Sequence, residues 1–273
     1  MGLEQYSKTT QETAQNLRII DDALFRLMAE RPGVCQEILR TLLDLPKLIV
    51  ARVTTQSIVT SLHREIILDA LCILEDGKYV NIEMQKSTCN DDITRTRFHA
   101  AALTAAYTPK GTDFSAIPQV TILYITEYDA LNNNQAVTHV KRCMQTSNGF
   151  IPVDDKEDIF FANTAIKDDS DKSNLLQLFL RKDVFEDTRY PELSKAIKYF
   201  KQTEGGRSEV CKTIEDCAKD YAKDYGQRCR AEGRAEIIAH MLSLGKTPEE
   251  IASFTGATID EIKSVEESML TNA

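Results

Sequence analysis

The sequence predicts a mixed α/β core whose elements run helix, three strands, helix, strand, followed by a C-terminal helical extension. Three observations predict it. Apolar residues recur at helical spacing between Asp21 and Leu45, and β-branched apolar runs follow at 48–53, 66–74, 79–82 and 120–126. After Lys212 the chain turns into charged, helix-forming sequence. At 273 residues, 42% hydrophobic and 27% charged, the chain can bury a sizeable core and does not read as disordered.

The opening helical layer carries Leu24, Leu27, Met28, Ile38, Leu39, Leu42 and Leu43 and is broken into two helices near Pro32-Gly33. Between Lys86 and Thr108, Asn90-Asp91 supplies a cap. Ile93, Phe98, Ala101, Ala102 and Ala105 then form a small-residue face suited to close packing on a sheet. Phe160-Phe161 marks a further short strand, and 175–180 and 193–200 read as short helices. The tandem AKDYAKDY at 218–225 lies in a charged helix that reads as a solvated spacer or a self-association element. Two Thr-x-x-Glu capping boxes, Thr247 with Glu250 and Thr258 with Glu261, flank a turn at Gly256 and predict a compact helix-turn-helix.

Seven cysteines without a CxxC and four scattered histidines argue against a local zinc site and suit reduced thiols in the cytoplasm. The first twenty residues lack a basic start followed by an apolar stretch, and no apolar run approaches membrane-spanning length, so the expectation is a soluble, unexported protein. A net charge of -9 gives no bulk electrostatic sign of nucleic-acid binding, although a small basic groove can sit in an acidic protein.

The chemistry concentrates in HREIILDALCILEDGKYVNIEMQK. Asp69 interrupts one apolar strand, and Glu83 and Gln85 interrupt the next at period two. A two-residue Asp76-Gly77 turn would pair Asp69 with Met84 and put the two acids on opposite faces. A three-residue Glu75-Asp76-Gly77 loop, with Gly77 left-handed, pairs Asp69 with Glu83 at about 5 Å. Two carboxylates that close repel unless one is protonated or a cation lies between them. Hard oxygen ligands select Mg²⁺ or Mn²⁺, which points to phosphodiester hydrolysis. The residues alone leave a second reading open, in which both acids face solvent on an edge strand.

These residues resemble the PD-(D/E)XK nuclease family transposases, also called the recombination-promoting nuclease family. The matching pieces are Asp22-x-x-Phe25, Leu68-Asp69, Asp76-Gly77-Lys78 leading to Asn81-Ile82-Glu83-Met84-Gln85, Arg95-Thr96-Arg97-Phe98-His99, and the strand from Val120. A Gly-Arg-Ala-Glu helix and a terminal Glu-Glu-Ile-Ala-x-x-Thr-Gly segment complete the set. The resemblance implies a restriction-endonuclease-like αβββαβ core, with Mg²⁺ held by Asp69 and Glu83 and with DNA as the partner. It also implies that Gln85 stands where most of the superfamily keeps a lysine; its amide can orient water but cannot supply positive charge. Lys86 points to the opposite face of a regular strand. It is carried as a secondary site residue with Glu65, which shares a face with Asp69. Arg95 and Arg97 are candidates for phosphate contact or, equally, for ion pairs with Asp91 or Asp92. Leu68 stands in place of the motif's formal proline.

The expected division is a nuclease-like core over 15–205, a charged helical spacer over 206–240 and a small helix-turn-helix-like module over 241–273, with homo-oligomer formation through 206–273. The segment from Thr258 to Leu270 carries four acids and one base, so phosphates would repel it and it reads as a docking module. Two functions follow. One is a metal-dependent DNA endonuclease linked to recombination or mobile elements. The other is a catalytically weak or inactive nuclease-fold protein that binds DNA or a partner.

Overall fold

The computed structural model describes residues 3–60, 65–88 and 91–271. His63, Cys89 and the capping role given to Asn90 lie outside the described residues. The chain forms two compact units, Met1–Ile214 and Glu215–Ala273.

In the first unit, helix α1 (Lys8–Asn16) precedes α2 (Asp22–Ala29) and α3 (Val34–Leu42), with the expected break between α2 and α3. Gly33 makes that break possible by adopting φ +86° at the start of α3, a left-handed conformation that glycine enters without a Cβ penalty. Strands β1 (Val50–Thr60), β2 (Glu65–Leu74) and β3 (Tyr79–Gln85) follow as an antiparallel meander, then α4 (Asp92–Ala106) and β4 (Val120–Thr126). This is the αβββαβ order. The apolar pattern of the sequence does not announce α1, a short β5 (Val137–Val140), or the hairpin formed by β6 (Cys143–Thr146) and β7 (Gly149–Pro152). It also ended the first strand too early, because Thr54 to Ser57 are polar and carry no apolar signal. Strand β8 (Glu157–Asn163) and helices α5 (Asp171–Leu178) and α6 (Pro191–Gln202) complete the unit before α7 (Glu204–Ser243).

The main sheet has the order β1-β2-β3-β4-β8-β5, with β3, β4 and β8 mutually parallel. Helices α2, α3, α5 and α6 cover one face through a core that includes Phe25, Ile38, Leu123, Leu176 and Ile197. Helix α4 covers the other through Ala100, Leu103, Ile122, Tyr124 and Phe161. Of the face expected on α4 only Ala102 serves there: Ile93, Phe98, Ala101 and Ala105 are exposed, and the packing is made by Ala100, Ala102 and Leu103, whose small alanines let the helix approach the sheet closely.

Lys201 on α6 is 7% exposed, and its Nζ donates to the carbonyls of Ala14 (3.2 Å), Gln15 (2.7 Å) and Leu17 (2.6 Å). Those carbonyls are the open C-terminal end of α1, and a cation there complements the helix dipole. Burial pushes the amine down to about 8. Lys201→Met is expected to lower stability by about 2–3 kcal/mol in urea unfolding, because it strips buried carbonyls of their donor. An unchanged midpoint and slope would mean that the carbonyls find other donors.

The second unit has a small core of Ile238, Ile251, Ala257 and Ile262. Both expected capping boxes form around α8 (Pro248–Thr255) and α9 (Ile259–Thr271): Thr247 and Thr258 each accept from the backbone three residues on and are reached in return by Glu250 and Glu261. Among the described residues no helix is long and apolar enough to cross a membrane.

Candidate active site

The turn between β2 and β3 decides the site. Gly77 has φ +81° and its N–H bonds to the Leu74 carbonyl, while the Leu74 N–H bonds to the Lys78 carbonyl. The connection is therefore the three-residue loop Glu75-Asp76-Gly77. The register Ile73↔Tyr79 to Ala70↔Ile82 follows from it, and continued by one step beyond these paired residues it would set Asp69 opposite Glu83.

At that step the ladder ends. Instead of a backbone partner, the Met84 N–H finds Asp69 Oδ2 at 2.8 Å. Leu68 packs into the core on the α4 side, whereas Ala70 packs into the core on the opposite side, so side-chain alternation along β2 breaks at Asp69. Across β1 the break is matched by Gln56, which lies between the pairs Thr55↔Ala70 and Ser57↔Leu68 and has φ +51°. A non-glycine residue in that region is locally strained, and such irregularity re-aims the neighbouring side chain.

Glu83 is 8% exposed. Asn81, two residues earlier on the same face, donates from Nδ2 to Glu83 Oε1 at 2.7 Å, and His99 Nδ1 from α4 lies 3.5 Å from the same oxygen. Asn81 Oδ1 and His99 Nδ1 are both buried without a hydrogen-bond partner among the described residues. Burial pushes the Asp69 carboxyl well above the usual carboxylate range, and the negative charges of Glu83 and Asp22 add to that; the Met84 N–H and Arg26 oppose it only in part. Asp22, in the first turn of α2, is raised by burial against the pull of Arg26, with Glu83 adding to the rise. Asp22, Asn81 and His99 stand within the motifs read from the sequence but carry no role there, and Arg26 lies outside those motifs. The i, i+2 spacing of Asn81 and Glu83 on one strand was the available signal.

The other candidates are distributed differently. Gln85 Nε2 donates to the Ser87 carbonyl at 2.6 Å, and the Gln85 carbonyl accepts from the Glu127 N–H at 3.0 Å. Lys86 is held on the opposite face by Asp21, at 2.6 Å. Burial alone would raise the Asp21 carboxyl, but Lys86 and Arg18 outweigh it and hold it below the usual value. Arg18 also pairs with Glu127, which locks the end of β3 to α2 and β4. Glu65 is exposed at the first position of β2. Arg95 is half-buried and pairs with Asp91 at 3.4 Å, whereas Arg97 is exposed and lies within electrostatic reach of Glu157. Residues two apart on a helix do not share a face, so the two arginines are not brought together. Asp91 stands at the N-cap of α4, yet its side chain makes no capping bond. Asp92 instead is buried and accepts from the hydroxyls of Tyr124 (3.0 Å) and Tyr128 (2.6 Å).

A family model described as PD-(D/E)XK nuclease family transposase matches residues 39–182, over half of the chain and including Asp69, Glu83 and Gln85. The chain belongs to this family. Its mixed α/β fold is that of the PD-(D/E)XK nucleases, and membership supports a nuclease-type function. No curated protein and no solved structure matches the chain.

PD-(D/E)XK nucleases generally use divalent metals. Among the described residues no group of three or more His, Cys, Asp or Glu side chains gathers closely enough to cage an ion. Mg²⁺ does not require one, since it keeps several waters and is held by one or two carboxylates. The donor set fits such an ion: two hard-oxygen acids lie within electrostatic reach of each other at the end of a ladder, and one of them is destabilised in its charged form by burial and by the other.

Proposed function

We propose that this protein is a Mg²⁺- or Mn²⁺-dependent DNA endonuclease that hydrolyses phosphodiesters and serves recombination or mobile elements. The observation that carries the reading is the repulsion between Asp69 and Glu83 just past the end of the β2–β3 ladder, which with burial disfavours the Asp69 carboxyl as an anion.

Asp69 and Glu83 are the residues that would hold the ion, which when bound supplies Lewis acidity toward the phosphate and lowers the pKa of a coordinated water. Asn81 fixes the Glu83 carboxylate through its Nδ2 hydrogen bond, and the Met84 N–H fixes Asp69. His99 stands beside Glu83, and Asp22 lies within electrostatic reach of both acids. Gln85 orients the attacking water through its amide once that group leaves the Ser87 carbonyl. Arg95 and Arg97 are phosphate contacts that act separately, from different faces of α4. The compartment is the cytoplasm.

One feature favours a second reading, a weak or inactive nuclease fold that binds DNA or a partner. No lysine takes the superfamily's place beside Glu83: Gln85 stands there and Lys86 is tied to Asp21. Nicking of supercoiled plasmid with Mg²⁺ or Mn²⁺ separates the two. The proposed function expects nicking by the unaltered chain and none by Glu83→Gln. Absence of nicking by both, with calorimetric Mn²⁺ binding retained by the unaltered chain, selects the binding role.

A further inference from the structure

A groove of about 920 Å³ lies in the first unit at the end of the sheet away from Glu83. It crosses the start of the parallel strands: Leu74, Val80, Thr121, Phe160 and Val137 contribute from β2, β3, β4, β8 and β5, and Leu45 and Ile49 stand at its rim. Leu45 is 49% and Ile49 43% exposed, so this apolar surface faces solvent in one copy of the chain. Lys47, between them, is exposed and enters no ion pair or side-chain hydrogen bond among the described residues.

The hairpin β6–β7 leaves the sheet beside this groove, since Lys141 lines the groove and Cys143 opens β6 two residues on. Every residue of both strands is exposed. Phe150 (72%), Met144 (52%) and Ile151 (49%) give the hairpin apolar side chains on both faces, with Met144 directly opposite Ile151. A lone two-stranded hairpin is marginal in water, and one that is apolar on both faces needs a surface to pack on.

We propose that the occupant of the groove is the β6–β7 hairpin of a second copy of this chain, exchanged reciprocally about a two-fold axis. An exposed apolar arm and an exposed apolar groove on the same chain are the self-complementary pair that a closed dimer requires. The three arm side chains offer roughly 350 Å², so a reciprocal exchange that hides arm and groove twice buries on the order of 1,400 Å², within the range of a stable interface. Charge agrees as well. Lys47 waits at the groove rim, and the arm is followed by Asp154, which is exposed and enters no ion pair among the described residues, whereas Asp155 is already held by Arg142 and Asp158 by His139 and Lys141.

The test is sedimentation of the full chain at tens of micromolar, alone and mixed. The unaltered chain is expected to be a dimer, and Phe150→Asp and Ile49→Lys are each expected to be folded monomers. Mixed in equal amounts, the two variants are expected to regain a dimer, because one arm–groove contact then joins Asp to Lys and the other is wild-type on both sides. Misfolding, or an interface elsewhere, cannot produce that recovery. A monomeric unaltered chain, a dimer that survives either substitution, or no recovery on mixing overturns the proposal.

Discussion

Asp69→Asn is expected to lower metal-dependent nicking by about a thousandfold, roughly 4 kcal/mol of barrier, while making the metal-free protein more stable than the unaltered chain. Both halves come from one geometry. The Asp69 carboxylate is disfavoured by burial and by Glu83, so its negative charge is a load on the folded state that a neutral amide removes, and the amide oxygen can still accept from the Met84 N–H. The sign with pH follows. A carboxyl raised by folding is protonated in both states below its unfolded value near 3.8, so there the load is absent. It grows as pH rises toward the folded value. The melting temperatures of the two proteins should therefore be closest at low pH and diverge as pH increases. Added Mg²⁺ or Mn²⁺ should reverse the order. At a hundredfold excess over its dissociation constant, an ion bound only by the folded state contributes ~2.7 kcal/mol, a shift of several degrees for the unaltered chain and little for the variant. A variant no more stable than the parent at neutral pH, or a metal-induced shift of equal size in both, would remove Asp69 from the metal site.

Gly206→Ala is expected to destabilise the first unit by about 3 kcal/mol or more, against the helix propensity that favours alanine by ~1 kcal/mol. A Cβ on Gly206 would stand 2.2 Å from the Tyr199 carbonyl oxygen and 2.8 Å from the Phe200 Cα, and backbone at the end of α6 cannot move aside as a flexible side chain can. The joint is already fixed on both sides. Thr203 ends α6 with its N–H on the Tyr199 carbonyl, and its hydroxyl accepts from the Gly206 N–H to start α7. Gly205→Ala is the internal control, because its added Cβ meets only the Tyr199 hydroxyl, at 3.4 Å, and should leave stability unchanged or slightly raised. Urea unfolding of the two variants, read at equal slope, separates the steric effect from propensity. Similar midpoints would mean that the joint opens more easily than its contacts indicate.

The sequence by itself determined the order of the elements and the residues with chemical potential. Apolar periodicity located α2, α3 and the central strands, whereas on α4 the face it named is mostly exposed. The Thr-x-x-Glu boxes located α8 and α9, because a cap needs only residues three apart. Asp69, Glu83 and Gln85 stood out because polar groups interrupted apolar runs. Sequence alone left the register undecided, since Asp76-Gly77 is compatible with two loop lengths, and the hydrogen bonds around Gly77 chose between them. Tertiary structure alone decided the break in alternation at Asp69 opposite Gln56, the placing of Asn81 and His99 against Glu83, and the capture of Lys86 by Asp21. Local patterns report which face a residue occupies within its own element. The direction of a side chain at a strand irregularity, and the charge that meets it from another element, depend on packing between segments far apart in the chain.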